Sequence, residues 1–546
     1  MLLLFVVKMK NKTLHIPHNS FTVAEVAEKF GVSTVSVRNW IKTKMLSVDV
    51  KGNITSTSLQ HFEANIIGKQ KLNQRANKLY KDSHNHSDIS KQIQDKINSS
   101  SASNLLGESY QALLSDAYRN EEGIFYTPHY IGQDMMKDIQ GDLSDKTFLD
   151  PCCGSGNFIL EAIARGFKPE NVYGWDWDAN AVEITKKRIL EQTGYATPNI
   201  KQGDFLEIVQ DLPKFDYIFT NPPWGKKLSK ADKQKYSLHF SAGKSTDTAS
   251  LFFFAALSVL ENGGTLGFLL PDSFFNISIF ESARKKALQY RIERLVDYKK
   301  PFKGVLNKAQ AIILKAENPK SNHHVRAEFN QQKVSLKQVY FSKNPKSIIN
   351  FCIEPHEVEV IEHVFQLPYI TLENHAKFGL GIVTGDNKNK CKHHPQKDFV
   401  SVYKGTDIIK GGIKSPSLYI HKNLELYQQT APLELYLAPK KLIYKFISKE
   451  LCFYCDTEQR LILNSANLLV LDEDFPIKAE ELTKLLNSEF MSWLFQKIFA
   501  THKILKSDLQ SLPIHHEYFQ KYGTFTEANY LAYLGIKKQD GTYILK

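Results

Sequence analysis

Between Thr147 and Leu270 short apolar runs recur with amphipathic stretches between them, and this alternation leaves few folds open. The runs are Thr147–Leu149, Asn171–Trp175, Phe215–Thr220 and Gly264–Leu270, each of strand length. Ala179–Thr193 and Ser250–Glu261 lie between them with helical spacing. Strand and helix in alternation predict an α/β domain on a doubly wound sheet. Sheets of this kind bind ligands outside the carboxyl ends of their strands. The informative residues are therefore those that follow each run.

After the first run comes Asp150-Pro151-Cys152-Cys153-Gly154-Ser155-Gly156-Asn157-Phe158. Gly154 and Gly156 let the backbone turn tightly and approach a ligand, although a glycine turn alone is weak evidence for a nucleotide. Gly174-Trp175-Asp176 closes the second run, where the Asp176 carboxylate can take both hydroxyls of a ribose and Trp177 can pack on an adenine. Gly203-Asp204-Phe205-Leu206 sets an acceptor for an adenine amine beside an aromatic ring. Each carboxylate has an alternative role as a helix cap, and for Asp204 the two roles weigh about equally. Phe219-Thr220-Asn221-Pro222-Pro223-Trp224 follows the third run. Its prolines stiffen the loop. The Asn221 side chain and the Pro222 carbonyl are two acceptors, and Trp224 is a flat face. An exocyclic amine on a planar ring needs that set.

The rest of the chain is organised around this domain. Thr22-Val23-Ala24-Glu25 is a capping box opening a short helix, Gly31 turns the chain, and Ser33 caps a second helix through Val37, Trp40 and Ile41. The pattern resembles the helix-turn-helix of MerR-type and excisionase-type DNA binders, with Val50–Thr55 as a small wing. Its second helix would offer Arg38 and Asn39 to DNA; a protein-contact module is the alternative. Residues 69–103, rich in Lys, Asn, Gln and Ser, read as a linker. The expected divisions are a 1–68 DNA-binding module, the 69–103 linker, a 104–345 catalytic domain and a 346–546 α+β domain. Charge follows the same plan. Residues 1–100 hold 15 Lys and Arg against 7 Asp and Glu, 101–300 hold 23 against 26, and 301–546 hold 32 against 25. Two basic ends around a mildly acidic middle fit binding to a polyanion.

Several classes are excluded as expectations. No apolar run nears the roughly 18–20 residues of a membrane span. The apolar start Met1–Val7 carries no cleavage site and is expected to be non-structural, which puts the protein in the cytoplasm. Six cysteines in 546 residues do not suggest a disulfide framework. Cys391, His393 and His394 with Cys452 and Cys455 could be drawn as a zinc site. However, Cys452 and Cys455 sit in a strand-like run, and no metal is assigned.

Together these motifs resemble the gamma-class amino-methyltransferases of restriction–modification systems, over roughly residues 115–520. Gly123-Ile124-Phe125-Tyr126-Thr127-Pro128 looks like that family's leading cofactor motif. The resemblance implies a Rossmann-like S-adenosyl-L-methionine-dependent core and a C-terminal target recognition domain. In this reading Phe125, Thr127, Asp150, Cys152, Gly154, Gly156, Asp176, Trp177, Asp204 and Phe205 hold the cofactor. Asn221, Pro222, Pro223 and Trp224 match the catalytic tetrapeptide, and Asn at its head implies adenine rather than cytosine. Phe252 and Phe280, with Trp224, are expected to hold an extruded base. Gly381–Asn387, Lys440–Tyr444, Leu486–Ser488 and Lys503–Lys506 resemble the specificity half. Double-stranded DNA is the implied partner, with a cognate restriction endonuclease alongside. Three alternatives stay open: a methylase of release factors or ribosomal RNA, a fused restriction enzyme and methylase, and a DNA-binding regulator with an inactive methylase fold.

Overall fold

The computed structural model describes residues 20–42, 45–49, 52–65, 127–226, 228–302 and 307–546. The apolar start, the expected linker and residues 104–126, Phe125 among them, lie outside the described residues.

Among the described residues one sheet holds nine strands: β1 Phe148–Asp150, β2 Val172–Asp176, β3 Ile200–Gln202, β4 Phe215–Thr220, β5 Leu260–Pro271, β6 Arg291–Asp297, β7 Ala309–Lys315, β8 His324–Phe329 and β9 Gln332–Lys337. Their spatial order is β3-β2-β1-β4-β5-β7-β6-β8-β9. Strands β1 to β5 pair in parallel, whereas β7 runs antiparallel to both β5 and β6. The order reverses between β1 and β4, whose carboxyl ends diverge there. Helices Asn157–Ala164, Ala179–Thr193 and Thr248–Ser258 follow β1, β2 and β4. The expected strands and the 179–193 helix occur where the alternation put them. Helix Thr248–Ser258 ends earlier than the sequence suggested, because β5 starts at Leu260 and runs through Gly263 and Gly264. Gly267 is required in β5: a Cβ there would lie 2.3 Å from the Phe219 ring.

Near the amino end, helices Val23–Lys29 and Thr34–Lys42 meet around buried Val26, Phe30, Val37 and Trp40. The capping box forms, with the Glu25 amide 3.2 Å from Thr22 Oγ1 and the Thr22 amide 2.7 Å from Glu25 Oε2. Gly31 turns the chain at φ 60°. Ile54–Thr55, the far side of the expected wing, pairs with Ser20–Phe21. A third helix, Ser56–Asn65, closes this core with Leu59 and Phe62.

The carboxyl-terminal part is α+β. A four-stranded sheet orders Ala376–Leu380, Ala466–Leu471, Lys441–Lys445 and Phe453–Asp456, and a three-stranded one orders Leu418–His421, Phe399–Tyr403 and Leu461–Ile462. Cys391 and Cys452 are buried in its core, and the Cys452 thiol lies 3.8 Å from the Ile408 carbonyl. The expected boundary at 345/346 is not a break in packing. Ile348, Ile349 and Phe351 belong to the same apolar cluster as Leu149 and Leu266 of the catalytic sheet.

Candidate active site

Four loops leave the carboxyl ends of β1 to β4 and converge where the strand order reverses. Asp150, the last residue of β1, is buried. Its Oδ1 accepts from the Thr220 hydroxyl at 2.6 Å and from the Cys152 amide at 3.1 Å. Thr220 ends β4 and directly precedes Asn221, so one hydroxyl ties the glycine-loop side of the cleft to the catalytic loop. Burial pushes the Asp150 carboxyl up to about 7, against the opposing hydrogen bonds from Thr220 and Cys152. Among the described residues Asp150 makes no ion pair.

The glycine loop is fixed from behind. Gly156 takes φ 86° as the cap of helix Asn157–Ala164, and a Cβ there would sit 2.8 Å from Thr185 Cγ2. The Thr185 hydroxyl donates to the Gly154 carbonyl at 2.8 Å. Arg188 donates to Asn157 Oδ1 at 2.8 Å and also to the Ser155 carbonyl. Thr127 is buried beside the loop, and Asn157 Nδ2 donates to its carbonyl at 2.6 Å. A segment that precedes the sheet in the chain thereby joins the cleft.

Asp176 ends β2. Its Oδ2 accepts from the Gly154 amide at 2.8 Å and its Oδ1 from the Asp178 amide at 2.9 Å. Burial raises its carboxyl to about 6, opposed by those two amides. Trp177 is 66% exposed, a large ring left open to solvent. Lys226 Nζ lies 5.1 Å from the centroid of that ring. Asp204 caps the short helix Phe205–Ile208 through the Leu206 amide at 3.0 Å, so its capping role is real and occupies one oxygen. Burial raises this carboxyl too. Phe205 is buried next to it.

Asn221, Pro222, Pro223 and Trp224 form the loop after β4, with Pro222 buried and the other three half-buried. Trp224 is held in place: its Nε1 donates to the Leu269 carbonyl of β5 at 3.3 Å, and the Phe302 ring meets it edge-on at 5.3 Å. A small cleft is lined by Thr127, Asp150, Cys152, Gly154, Asn157 and Asn221, among others. Residues from three distant stretches of sequence thus face one small space.

Two expectations are corrected. Phe252 is 7% exposed and stacks on Phe205 with centroids 5.9 Å apart, so it backs the wall of the cleft rather than lining it. Phe280 is buried against Phe274 at 5.5 Å. Both belong to the core because helix Thr248–Ser258 is buried on nearly all sides and Phe274, Phe275 and Phe280 turn inward from the 273–280 segment. Sequence reasoning also missed Thr220, Arg188 and Lys226. For Lys226 the available signal was a lysine two residues past the tetrapeptide. Thr220 and Arg188 carried none, since any polar residue at a strand end or on a helix looks alike. Arg38 is exposed on its helix, while the Asn39 side chain lies outside what is described.

A mixed sheet, parallel from β1 to β5 with its order reversed at β1 and β4, and an Asn-Pro-Pro-Trp loop after β4 have the form of an S-adenosylmethionine-dependent methyltransferase of the amino-directed kind. Residues 101–357 match the family described as N-6 DNA Methylase, and residues 400–514 match the TaqI-like C-terminal specificity domain. The type II methyltransferase M.VspI of Vibrio sp. (strain 343) is 45% identical over 395 residues, 72% of this chain and 97% of that protein. The modification methylase CviBIII of Paramecium bursaria Chlorella virus NC1A is 25% identical over 178 residues, 32% of this chain and 45% of that protein. The solved structure of the type IIL restriction–modification enzyme MmeI with DNA aligns at a TM-score of 0.48 and 12% identity, over 74% of this chain and 69% of that one. The chain belongs to the type II DNA methyltransferases of the N-6 class, with a specificity domain in its carboxyl-terminal half. Among the described residues no helix is long and apolar enough to cross a membrane.

Proposed function

We propose that the protein transfers a methyl group from S-adenosyl-L-methionine to the N6 amine of adenine at a specific sequence in double-stranded DNA. The supporting observation is the cleft itself, where Asp150 and the Thr127 segment face Asn221 across a small space. The residues fit the cofactor. Asp150 is a buried carboxyl group with no cationic partner among the described residues, suited to a ligand's ammonium group, and Asp176 keeps acceptor capacity for ribose hydroxyls. Trp177, Asp204 and Phe205 make the adenine side, with Cys152, Gly154 and Gly156 shaping the floor. When bound, the cofactor supplies an electrophilic methyl group on its sulfonium.

The chain's own residues handle the weak nucleophile. Adenine's amine lends its lone pair to the ring. Hydrogen bonds from that amine to Asn221 Oδ1 and the Pro222 carbonyl favour a tetrahedral nitrogen with its lone pair free. Acceptors fixed before reaction need no reorganisation in the transition state. The Thr220–Asp150 hydrogen bond holds the two halves of the cleft in register, so positioning supplies much of the rate. The target amine is buried in a duplex, so the base must be extruded, and the fixed Trp224 face replaces part of its lost stacking.

Cytoplasmic action beside a cognate restriction endonuclease follows from this reading. The basic amino-terminal module adds phosphate contacts, while base reading falls to the specificity half. The test is expression in a methylation-free host followed by sequencing of the genomic DNA for modified bases. N6-methyladenine at one recurring sequence is the expected result. Unmodified DNA, or modified cytosine, overturns the proposal.

A further inference from the structure

A chain of contacts leads from the catalytic loop towards the specificity half. Trp224 rests on Leu269 of β5. A few residues past the end of that strand, Asn276 Nδ2 donates to the Phe499 carbonyl at 3.1 Å. Helix Glu489–Phe499 ends there through Ala500, in left-handed conformation at φ 48°. The chain then runs antiparallel to residues 446–448. The Ile504 amide donates to the Phe446 carbonyl at 2.8 Å, and the Ser448 amide to the His502 carbonyl at 2.9 Å. Ile447 stands between these two bonds and is 63% exposed.

A lone exposed isoleucine is ordinary. This one differs in three respects. Backbone hydrogen bonds on both sides fix the strip that presents it. Ile277 and Ile279, 39% and 42% exposed, directly follow Asn276 in the chain, so exposed aliphatic side chains also stand beside that contact. The exposed neighbours Lys449 and Lys503 are cationic, and the nearby acid Glu450 is already paired with Lys410 at 2.7 Å. An aliphatic tip beside two lysines that make no ion pair among the described residues suits a polyanion with an apolar interior, which describes a base stack flanked by phosphates. Proteins that open such stacks insert aliphatic side chains between base steps.

We propose that Ile447 is the wedge that enters the DNA stack when the target adenine leaves it, with Lys449 and Lys503 on the adjoining phosphates. The inference rests on the methylation reading above and adds the residue that supports extrusion. Filling the gap stabilises the open duplex, so Ile447 acts on extrusion and not on cofactor binding.

The full-length protein is tested on a duplex bearing its methylated sequence, with 2-aminopurine in place of the target adenine. Wild type is expected to raise the probe's fluorescence on binding. Ile447→Ala should lose most of that rise and about tenfold of kcat on the normal duplex, a loss in scale with unstacking at one step. Its cofactor affinity should be unchanged, and Ile447→Leu should keep wild-type behaviour. A mismatched partner opposite the target, which weakens pairing, should restore kcat of Ile447→Ala to within about twofold, as extrusion then needs less help. A fluorescence rise and kcat insensitive to Ile447→Ala overturn the wedge alone, as does a defect that the mismatch fails to relieve. No rise with wild type overturns base extrusion, and the wedge with it.

Discussion

Thr220 and Asn221 are neighbours in the chain, and in the proposed reaction they serve different ligands, one through Asp150 and the other directly. Replacing Asn221 with Ala should lower the methylation rate by roughly 10²–10³-fold, the usual cost of losing one preorganised polar contact. Calorimetry should find cofactor affinity nearly unchanged, since Asn221 serves the base. Retention of more than about a tenth of the activity would refute the assignment. Asp150 and Asp176 predict a pH effect. Their carboxyls are raised to about 7 and about 6, so the unliganded fold prefers them protonated and loses that contribution as pH rises from about 4 through 7. A ligand ammonium needs the ionised Asp150. Cofactor affinity should therefore increase from pH 6 to pH 8, as titration calorimetry at both values would measure; a flat profile would exclude Asp150 from the ammonium site. At this scale the glycine loop, the two acids and the tetrapeptide were legible because each is a rare combination of residue types at a strand end. Phe252 and Phe280 were not. An aromatic residue in a uniformly apolar helix gives no sign of which face it occupies, and here the nearest aromatic neighbour took it into the core.

The elements divide into those that periodicity could place and those it could not. Helix Ala179–Thr193 was readable end to end, from the Asp178 cap to Gly194 at φ 72°. Strands β1, β2 and β4 were readable because each apolar run stops at a polar residue with a job to do. The position of β7 between β5 and β6 was not readable, since an apolar run carries no record of its direction or its neighbours. The glycine loop is the element most sensitive to substitution. Gly156→Ala combines a left-handed backbone, costing about 1–3 kcal/mol by itself, with a Cβ 2.8 Å from Thr185 Cγ2. Urea denaturation should register a loss in at least that range, together with weakened cofactor binding. Unaltered stability would mean that the loop has another conformation available to it.

Over the whole molecule, the excess of cations at both ends fits binding to a polyanion, and the carboxyl-terminal excess falls on the specificity domain. Their shares of the work are separable. Arg38→Ala, an exposed change on the second helix of the amino-terminal module, should weaken DNA binding and reduce the salt slope of the binding constant by about 1. The methylated sequence should stay the same. Sequencing that finds a relaxed base pair would instead mean that Arg38 reads a base.

The domain boundary was the least legible feature, because composition does not change at 345/346 and the apolar cluster crosses it. The Ile349 amide donates to the Phe275 carbonyl at 3.0 Å, Phe351 packs on Phe275 at 5.6 Å, and Arg284 donates to the Ser347 carbonyl at 3.1 Å. This shared core bears on any attempt to recombine relatives. A recognition half transplanted at the apparent seam would bring foreign side chains to meet Phe275 and Arg284, leaving voids or unmet donors in the middle of the protein. A junction beyond helix Pro355–Gln366 keeps those partners together but still separates Glu357 from Lys497 and His363 from the Leu534 carbonyl. New recognition sequences would then arise more readily by substituting exposed residues of the specificity half than by shuffling whole halves.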